Sequence, residues 1–426
     1  MSGRAGRYYY KNVLVRRSLH RKSLAGGRAS IAIALTAALL SGYAALLGGC
    51  STPARDSGLG PAELSAPGKL SAPAEGSEAR ADSAGAGHEG RPEASYSIVA
   101  PAELGQGSPA LALVRASFAE AALAEPALAA AAESLFEGLE LFVRSADGRD
   151  GRRAPLVIPP RRTPERRSAL GSQVRGAGPS ARPAPPAPRP NEAYAMAAFG
   201  LATGAAPGVA TIYLARGDEL LAQAPLNVLR REFRIETLRL NQALTSLRIE
   251  PDPEKTAQAE RYLALLASVN PEANYLEGGF IPPVRGSRRT SLFGDRRRFA
   301  YADGSRAWGE HNGVDYGYPT GTPVYVPAPG RVVMAEDRIV TGGTVVLEHL
   351  PGVFTIYMHL SRMDLEPGQI VRRGQSLGAV GATGLSTGPH LHWELRILGV
   401  AADPEAWLGI DKLPDIRTIA DAFEGG

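Results

Sequence analysis

His311-Asn312-Gly313-Val314-Asp315, Tyr357-Met358-His359-Leu360 and His390-Leu391-His392-Trp393 carry four of the chain's seven histidines. Side chains on a strand alternate between faces, so residues i, i+2 and i+4 point the same way. If extended, His311 and Asp315 share a face, and Gly313 between them leaves room for an ion. His390 and His392 share a face in the same manner, and so do Tyr357 and His359. Around these segments short apolar runs alternate with Gly and Pro turns, at 323–326, 330–335, 344–347, 353–357, 376–380 and 391–397. That pattern predicts an all-β domain from about residue 280. Two histidines and a carboxylate with an open fourth position form a catalytic rather than a structural zinc set. Zinc lowers the pKa of bound water to roughly 7 and polarises a carbonyl, and histidines left over from ligation can carry protons. The residues alone leave open which histidines bind and which are left over.

Upstream of this domain, Asp252-Pro253-Glu254 opens a helix with an N-cap, a proline in the first turn and an acid near the positive end. The apolar spacing carries the helix to about Val269, and Asn270-Pro271 ends it. Residues 241–279 are therefore expected to form a helical linker. Residues 95–240 hold short apolar or alternating runs at 99–114, 141–143, 193–199, 208–214 and 226–235, bounded by Gly, Pro and Asn. Such runs predict a small β-sandwich. The alanine-rich stretch 120–136 has helical propensity, although Pro126 interrupts it. A basic, proline-rich stretch at 146–190 reads as a disordered insertion. Residues 51–94 contain almost no large apolar side chains and cannot offset their ordering entropy, so a flexible tether is expected there.

The first fifty residues read as an export signal: a basic stretch with Arg16, Arg17, Arg21, Lys22 and Arg28, an apolar run at 31–40, then small residues. Leu47-Gly48-Gly49-Cys50 resembles a bacterial lipoprotein cleavage box, in which Cys50 becomes the lipid-bearing N-terminus. Cys50 is the single cysteine, so no internal disulfide can form. Ser51 stands where an aspartate would argue for inner-membrane retention. The expected location is the cell envelope, exported and lipid-anchored, with the outer membrane facing the periplasm favoured. The net charge of +4 is modest and sits largely in local runs at 4–28 and 152–167. With no aromatic stacking platform and no nucleic-acid motif, nucleic acid is excluded as a partner.

Residues 280–410 resemble the lysostaphin-type (LytM-like) zinc endopeptidases that cut peptidoglycan peptides. Thr290-Ser291-Leu292-Phe293-Gly294-Asp295-Arg296-Arg297 matches the opening of that domain. The similarity continues through His311-Asn-Gly-Val-Asp315, Gly321-Thr-Pro-Val324, Gly330-Arg-Val-Val333, Tyr357-Met-His-Leu360, Gly384-Leu-Ser-Thr-Gly-Pro-His-Leu-His-Trp393 and Asp403-Pro404. The resemblance implies that His311, Asp315 and His392 bind one Zn2+ and that His359 and His390 are the catalytic pair. Some members also use a tyrosine shortly before the first ligand, which residues 304–310 do not match. The preceding region is similar in order to relatives with an immunoglobulin-like β-domain before the peptidase. Arg231-Glu-Phe-Arg-Ile-Glu-Thr-Leu-Arg-Leu-Asn241 and Leu244-Thr245 carry that likeness. The expected architecture is mainly β: an antiparallel LytM-like peptidase domain, preceded by an immunoglobulin-like sandwich and a linking helix, with residues 411–426 a C-terminal tail.

The expected activity is zinc-dependent hydrolysis of peptide cross-links in peptidoglycan, with peptide stems as substrate, the membrane reached through lipid on Cys50, and a cell-wall or division protein as a further partner. The alternative is a silent LytM-like regulator that activates a cell-wall amidase. That class lacks one or more of the five site residues, and all five are present here. A carrier module of the biotinyl or lipoyl type needs an acceptor lysine, and no lysine lies between Lys255 and Lys412.

Overall fold

The computed structural model describes residues 94–118, 134–158, 192–276, 278–286 and 288–409. The expected export leader with Cys50, the expected tether up to residue 93, most of the alanine-rich stretch, residues 159–191 and residues 410–426 lie outside the described residues.

Eight strands build the first domain: β1 (Ala94–Val99), β2 (Glu103–Gly105), β3 (Pro109–Phe118), β4 (Leu139–Arg144), β5 (Ala154–Pro155), β6 (Glu192–Gly200), β7 (Gly208–Arg216) and β8 (Glu219–Leu229). They form one sheet of order β1-β3-β6 and another of order β2-β8-β7-β4-β5. Val114, Ala116, Ala195, Leu141, Ile212, Leu214 and Leu226 belong to their shared core. The result is the two-layer sandwich expected of alternating strands that each hide one apolar face. The expected disorder at 146–190 does not hold for its first part. Ala154 and Val157 are buried, β5 pairs with β4, and Val157 bridges to Met196, so these apolar residues close the sandwich edge.

The linking region differs from the expected single helix. A short helix α1 (Gln242–Ile249) is capped by Asn241 Oδ1, which accepts from the Leu244 N–H. The longer α2 (Pro253–Ala267) starts as its sequence predicts, with Asp252 Oδ1 accepting from the Lys255 N–H at 2.9 Å. Ahead of both helices, β9 (Ile235–Arg239) leaves the sandwich and pairs in parallel with β11 (Arg296–Ala300), which pairs in turn with β12 (Arg306–Glu310). A five-residue alternating strand carries no mark of which sheet it will join, so the sequence placed this segment in the wrong layer.

The remaining strands are β10 (Arg289–Ser291), β13 (Gly313–Tyr316), β14 (Pro323–Tyr325), β15 (Gly330–Arg338), β16 (Gly342–Leu350), β17 (Val353–Leu360), β18 (Arg362–Met363), β19 (Ile370–Val371), β20 (Ser376–Ala379), β21 (Leu391–Ile397) and β22 (Val400–Ala402). The main sheet runs β10-β13-β21-β17-β16-β15-β19, with β22 beside β21. Its central strands are buried on both faces. On β21, Leu391, Trp393, Leu395 and Ile397 enter the main core, while His392, Glu394 and Arg396 occupy the opposite face. On that opposite face Phe354, Ile356 and Met358 of β17 pack against Tyr262 and Leu266 of α2. The helix thus covers one end of the face whose other end carries the histidines.

Candidate active site

β13 and β21 pair antiparallel with Asp315 directly opposite His392. Register alone therefore puts these two side chains on one face as neighbours. His392 Nδ1 lies 2.7 Å from Asp315 Oδ1, and His311 Nε2 lies 3.0 Å from both Asp315 Oδ1 and His392 Nδ1. All three residues are buried. Gly313 serves a different purpose from the one its position between the ligands suggested. A Cβ there would stand 2.3 Å from the Trp393 carbonyl oxygen, so the glycine lets β13 and β21 approach rather than making space for an ion.

His311 is held by the turn before β11. Its Nδ1–H donates to the Leu292 carbonyl at 2.8 Å, its backbone N–H donates to Asp295 O, and Gly294 N–H donates to its carbonyl. Asp295 is buried and accepts from Leu292 N–H and Arg234 Nη2, which keeps the turn closed. His392 is fixed from its other nitrogen: Nε2–H donates to Glu394 Oε1 at 2.9 Å, and Glu394 Oε2 accepts from Arg396 Nε at 2.7 Å. With its ring neutral, each histidine candidate therefore spends one ring nitrogen as a donor and turns the lone pair of the other toward Asp315. Two nitrogen lone pairs and a carboxylate oxygen meeting in a buried space require a positive charge among them. These three residues form the group of donors able to hold a metal ion among the described residues, and a nitrogen, nitrogen, oxygen set suits zinc.

Electrostatics follow from this packing. Burial would raise the Asp315 carboxyl pKa, but His311 and Arg297 outweigh it and hold the group well below the carboxylate range. Arg297 Nη2 donates to Asp315 Oδ2 at 2.5 Å and to Ser291 Oγ at 3.0 Å, and Ser291 Oγ–H donates to Glu236 Oε2. Burial lowers His311, with Asp315 opposing. Burial also works against a charged His392, yet hydrogen bonds to Asp315 and Glu394 raise it to about 9. Glu394 is lowered to about 2: burial opposes this, and Arg396 and His392 prevail. The sequence alone assigns no role to Arg297, Ser291, Glu236, Arg396 or Glu394. Its placement two residues after His392 on a strand was the available signal.

His359 and His390 complete the cleft. Their rings lie 4.7 Å apart, centroid to centroid, and His359 is 6.2 Å from His392. His359 Nδ1–H donates to Thr383 O at 2.8 Å and His390 Nδ1–H donates to Gly388 O at 2.8 Å, leaving both Nε2 atoms as acceptors. His390 Nε2 stands 3.8 Å from Asp315 Oδ1. The expected shared face of Tyr357 and His359 is not observed. Tyr357 is in the core, whereas His359 lines the cleft. Between Gly343↔Leu360 and Val345↔Tyr357, β17 carries one residue more than β16, and His359 adopts φ 63°. This bulge rotates the histidine off the alternation and into the cleft. Such a conformation is costly for a residue with a side chain and recurs at functional sites. Burial, with His390 and His392 nearby, lowers His359 to about 3, so the ring is neutral.

The histidines open into a cavity of about 320 Å³. Glu236, Leu238 and Phe299 wall it from the β9–β11 side, Ala259 and Tyr262 from α2, and Leu385, Thr387 and Gly388 from the loop before His390. The 383–388 loop is therefore a groove wall as well as a turn. His349 is not part of the site: it is fully buried, donating from Nδ1 to Pro329 O and accepting at Nε2 from Thr355. Trp393 packs in the core beside Phe280 and Tyr316.

This site on a twisted antiparallel sheet defines a LytM-like peptidase domain. Residues 309–404 match Peptidase family M23, and the chain carries a peptidase domain of that family. It is similar to the "DD-carboxypeptidase/endopeptidase Mpg" of Neisseria meningitidis serogroup B, 41% identical over 129 residues, which are 30% of this chain and 29% of that protein. It is also similar to the "Peptidoglycan DD-endopeptidase ShyA" of Vibrio cholerae serotype O1, 47% identical over 89 residues, 21% of each chain. A crystallised zinc containing peptidase from Vibrio cholerae shares 35% identity over 30% of this chain and 40% of its own, with a TM-score of 0.28. The matches thus span less than a third of the two curated relatives' own lengths, 29% and 21%.

Proposed function

We propose that this protein is a zinc-dependent endopeptidase that hydrolyses peptide cross-links of peptidoglycan. The observation that carries the reading is the convergence of His311 Nε2, Asp315 Oδ1 and His392 Nδ1 beside the accepting Nε2 atoms of His359 and His390. His311, Asp315 and His392 would hold the ion; when bound, zinc supplies a Lewis acid and an acidified water. His359 is neutral and offers Nε2 as a proton acceptor, and its Nδ1–H, donating to Thr383 O, fixes the tautomer for that task. His390, fixed in the same sense by Gly388 O, offers a second Nε2 beside it that can first take up a proton and then deliver it to a leaving amine. The likeness to a peptidoglycan DD-endopeptidase of Vibrio cholerae supports the substrate class. The export leader and Cys50 support a lipid-anchored enzyme in the envelope, the outer membrane facing the periplasm favoured, tethered by residues 51–93 to a covalent mesh.

The test is hydrolysis of purified peptidoglycan by the full chain, with and without a zinc chelator, beside His311→Ala. Release of uncross-linked muropeptides that both treatments abolish supports the reading and identifies the bond. A folded, metal-loaded protein that releases none overturns it and favours the amidase-activating regulator.

A further inference from the structure

The small sheet of β9, β11 and β12 has two unlike faces. Its inner face lines the cleft with Glu236, Leu238 and Phe299. Strand alternation sends the neighbouring residues outward. In register, Thr237, Arg298 and Trp308 make one outward row, and Arg239, Ala300 and Arg306 the next. Trp308 is 52% exposed, unusual for the largest side chain in a short edge strand. Arg239 and Arg306 are exposed as well. Arg298, between Thr237 and Trp308 in the row, donates from Nε and Nη2 to Thr237 Oγ1 at 3.2 and 2.9 Å. Among the described residues none of these three arginines is in an ion pair, while Arg296 in the adjoining row is matched by Glu310. With strands roughly 4.8 Å apart and a two-residue step of about 7 Å, the backbone positions of three arginines and one tryptophan gather within about 12 Å.

We propose that this outer face binds intact peptidoglycan at a point separate from the cleft. The inference rests on the proposed substrate and concerns how the polymer, rather than the scissile bond, is held. Peptide stems carry free carboxylates, which guanidinium groups pair with strongly. The indole offers an apolar plane against which a sugar ring can lie. Tryptophan and arginine together are the side chains that most often dominate binding surfaces. The patch sits on the back of the sheet that walls the cleft, so a strand held there keeps neighbouring cross-links close to the site and raises their effective concentration.

The experiment measures co-sedimentation of the full chain with insoluble peptidoglycan under a chelator, and separately hydrolysis of a soluble cross-linked muropeptide with zinc. Two variants are compared with the parent: Arg239→Gln/Arg298→Gln/Arg306→Gln and Trp308→Ala. Each is expected to bind the insoluble polymer roughly tenfold more weakly, with the parent's binding weakening as salt rises. Hydrolysis of the soluble muropeptide should stay within about twofold of the parent, and Arg239→Lys/Arg298→Lys/Arg306→Lys should restore part of the binding. Undiminished sedimentation of both glutamine and alanine variants overturns the proposal. So does loss of soluble hydrolysis in parallel with binding, or capture by anionic phospholipid vesicles in place of peptidoglycan. If the parent cleaves nothing yet sediments through these residues, the proposed function falls and the binding face stands.

Discussion

Glu394 Oε1 accepts from His392 Nε2–H at 2.9 Å, and this contact decides which ring nitrogen of His392 faces Asp315. The carboxylate is itself clamped by Arg396, so the orientation of a proposed ligand histidine is set from two residues further along its own strand. Partners of this kind tune affinity without touching the ion. Replacing Glu394 with alanine is expected to weaken zinc binding by roughly 10–100-fold, with a smaller loss for Glu394→Gln, which keeps an accepting oxygen. Competition against a chromophoric chelator reads the affinity directly. Equal affinities for all three proteins would show that packing alone orients His392.

Arg297 occupies the second oxygen of Asp315, so only Oδ1 points to the histidines. In Arg297→Met the buried Oδ2 loses its charged partner and gains none. Stability at neutral pH should fall by on the order of 1–3 kcal/mol, and Arg297→Lys should recover part of it. Urea unfolding of the three proteins measures this, and an unchanged midpoint in the methionine variant would contradict it.

Ligand and proton-handling histidines should separate in their effects. His359→Ala and His390→Ala are each expected to lower kcat by about 10²–10⁴ while zinc stoichiometry stays at that of the parent. His311→Ala should lose both activity and the metal. Elemental analysis after dialysis, run beside muropeptide release, distinguishes the two classes. Loss of zinc in His359→Ala would place that residue among the ligands.

His349 gives the fold an acid-sensitive element remote from the metal cluster. Burial lowers it from 6.5 to about 4, with the hydrogen bond to Pro329 O opposing, because its surroundings do not solvate a cation. The unfolded chain takes up this proton first as pH falls. The stabilising contribution is therefore complete above about pH 6.5, declines as pH drops, and is gone near pH 4. Its size is on the order of 3 kcal/mol, at about 1.4 kcal/mol per pKa unit. His359 is lowered in the same direction, so His349→Gln should flatten only part of the dependence. Urea midpoints at pH 7 and pH 4.5 for both proteins measure the difference, and parallel losses would assign the effect elsewhere.

Much of the site was legible because period-two alternation is a strong constraint. His392, Glu394 and Arg396 must share a face of β21, and Asp315 must share one with Gly313. His359 shows where that rule stops. The bulge in β17 is invisible in Tyr357-Met-His-Leu360, since it arises from the pairing of β16 with β17. The role of Gly313 was misread for the same reason. The crowding at its Cα comes from the Trp393 carbonyl, 80 residues away in sequence.

The sequence by itself determined the chemistry available: which side chains can ligate, which can carry protons, and that short strands would hold them. It also determined the start of α2, because a cap, a proline and an acid act on the turn they occupy. Only the tertiary structure decided that β9 leaves the sandwich to wall the cleft, that Arg297 and Glu394 orient Asp315 and His392, and that α2 closes the end of the groove. Those outcomes depend on strand register and on contacts between residues far apart in the chain, and local propensities carry no information about either.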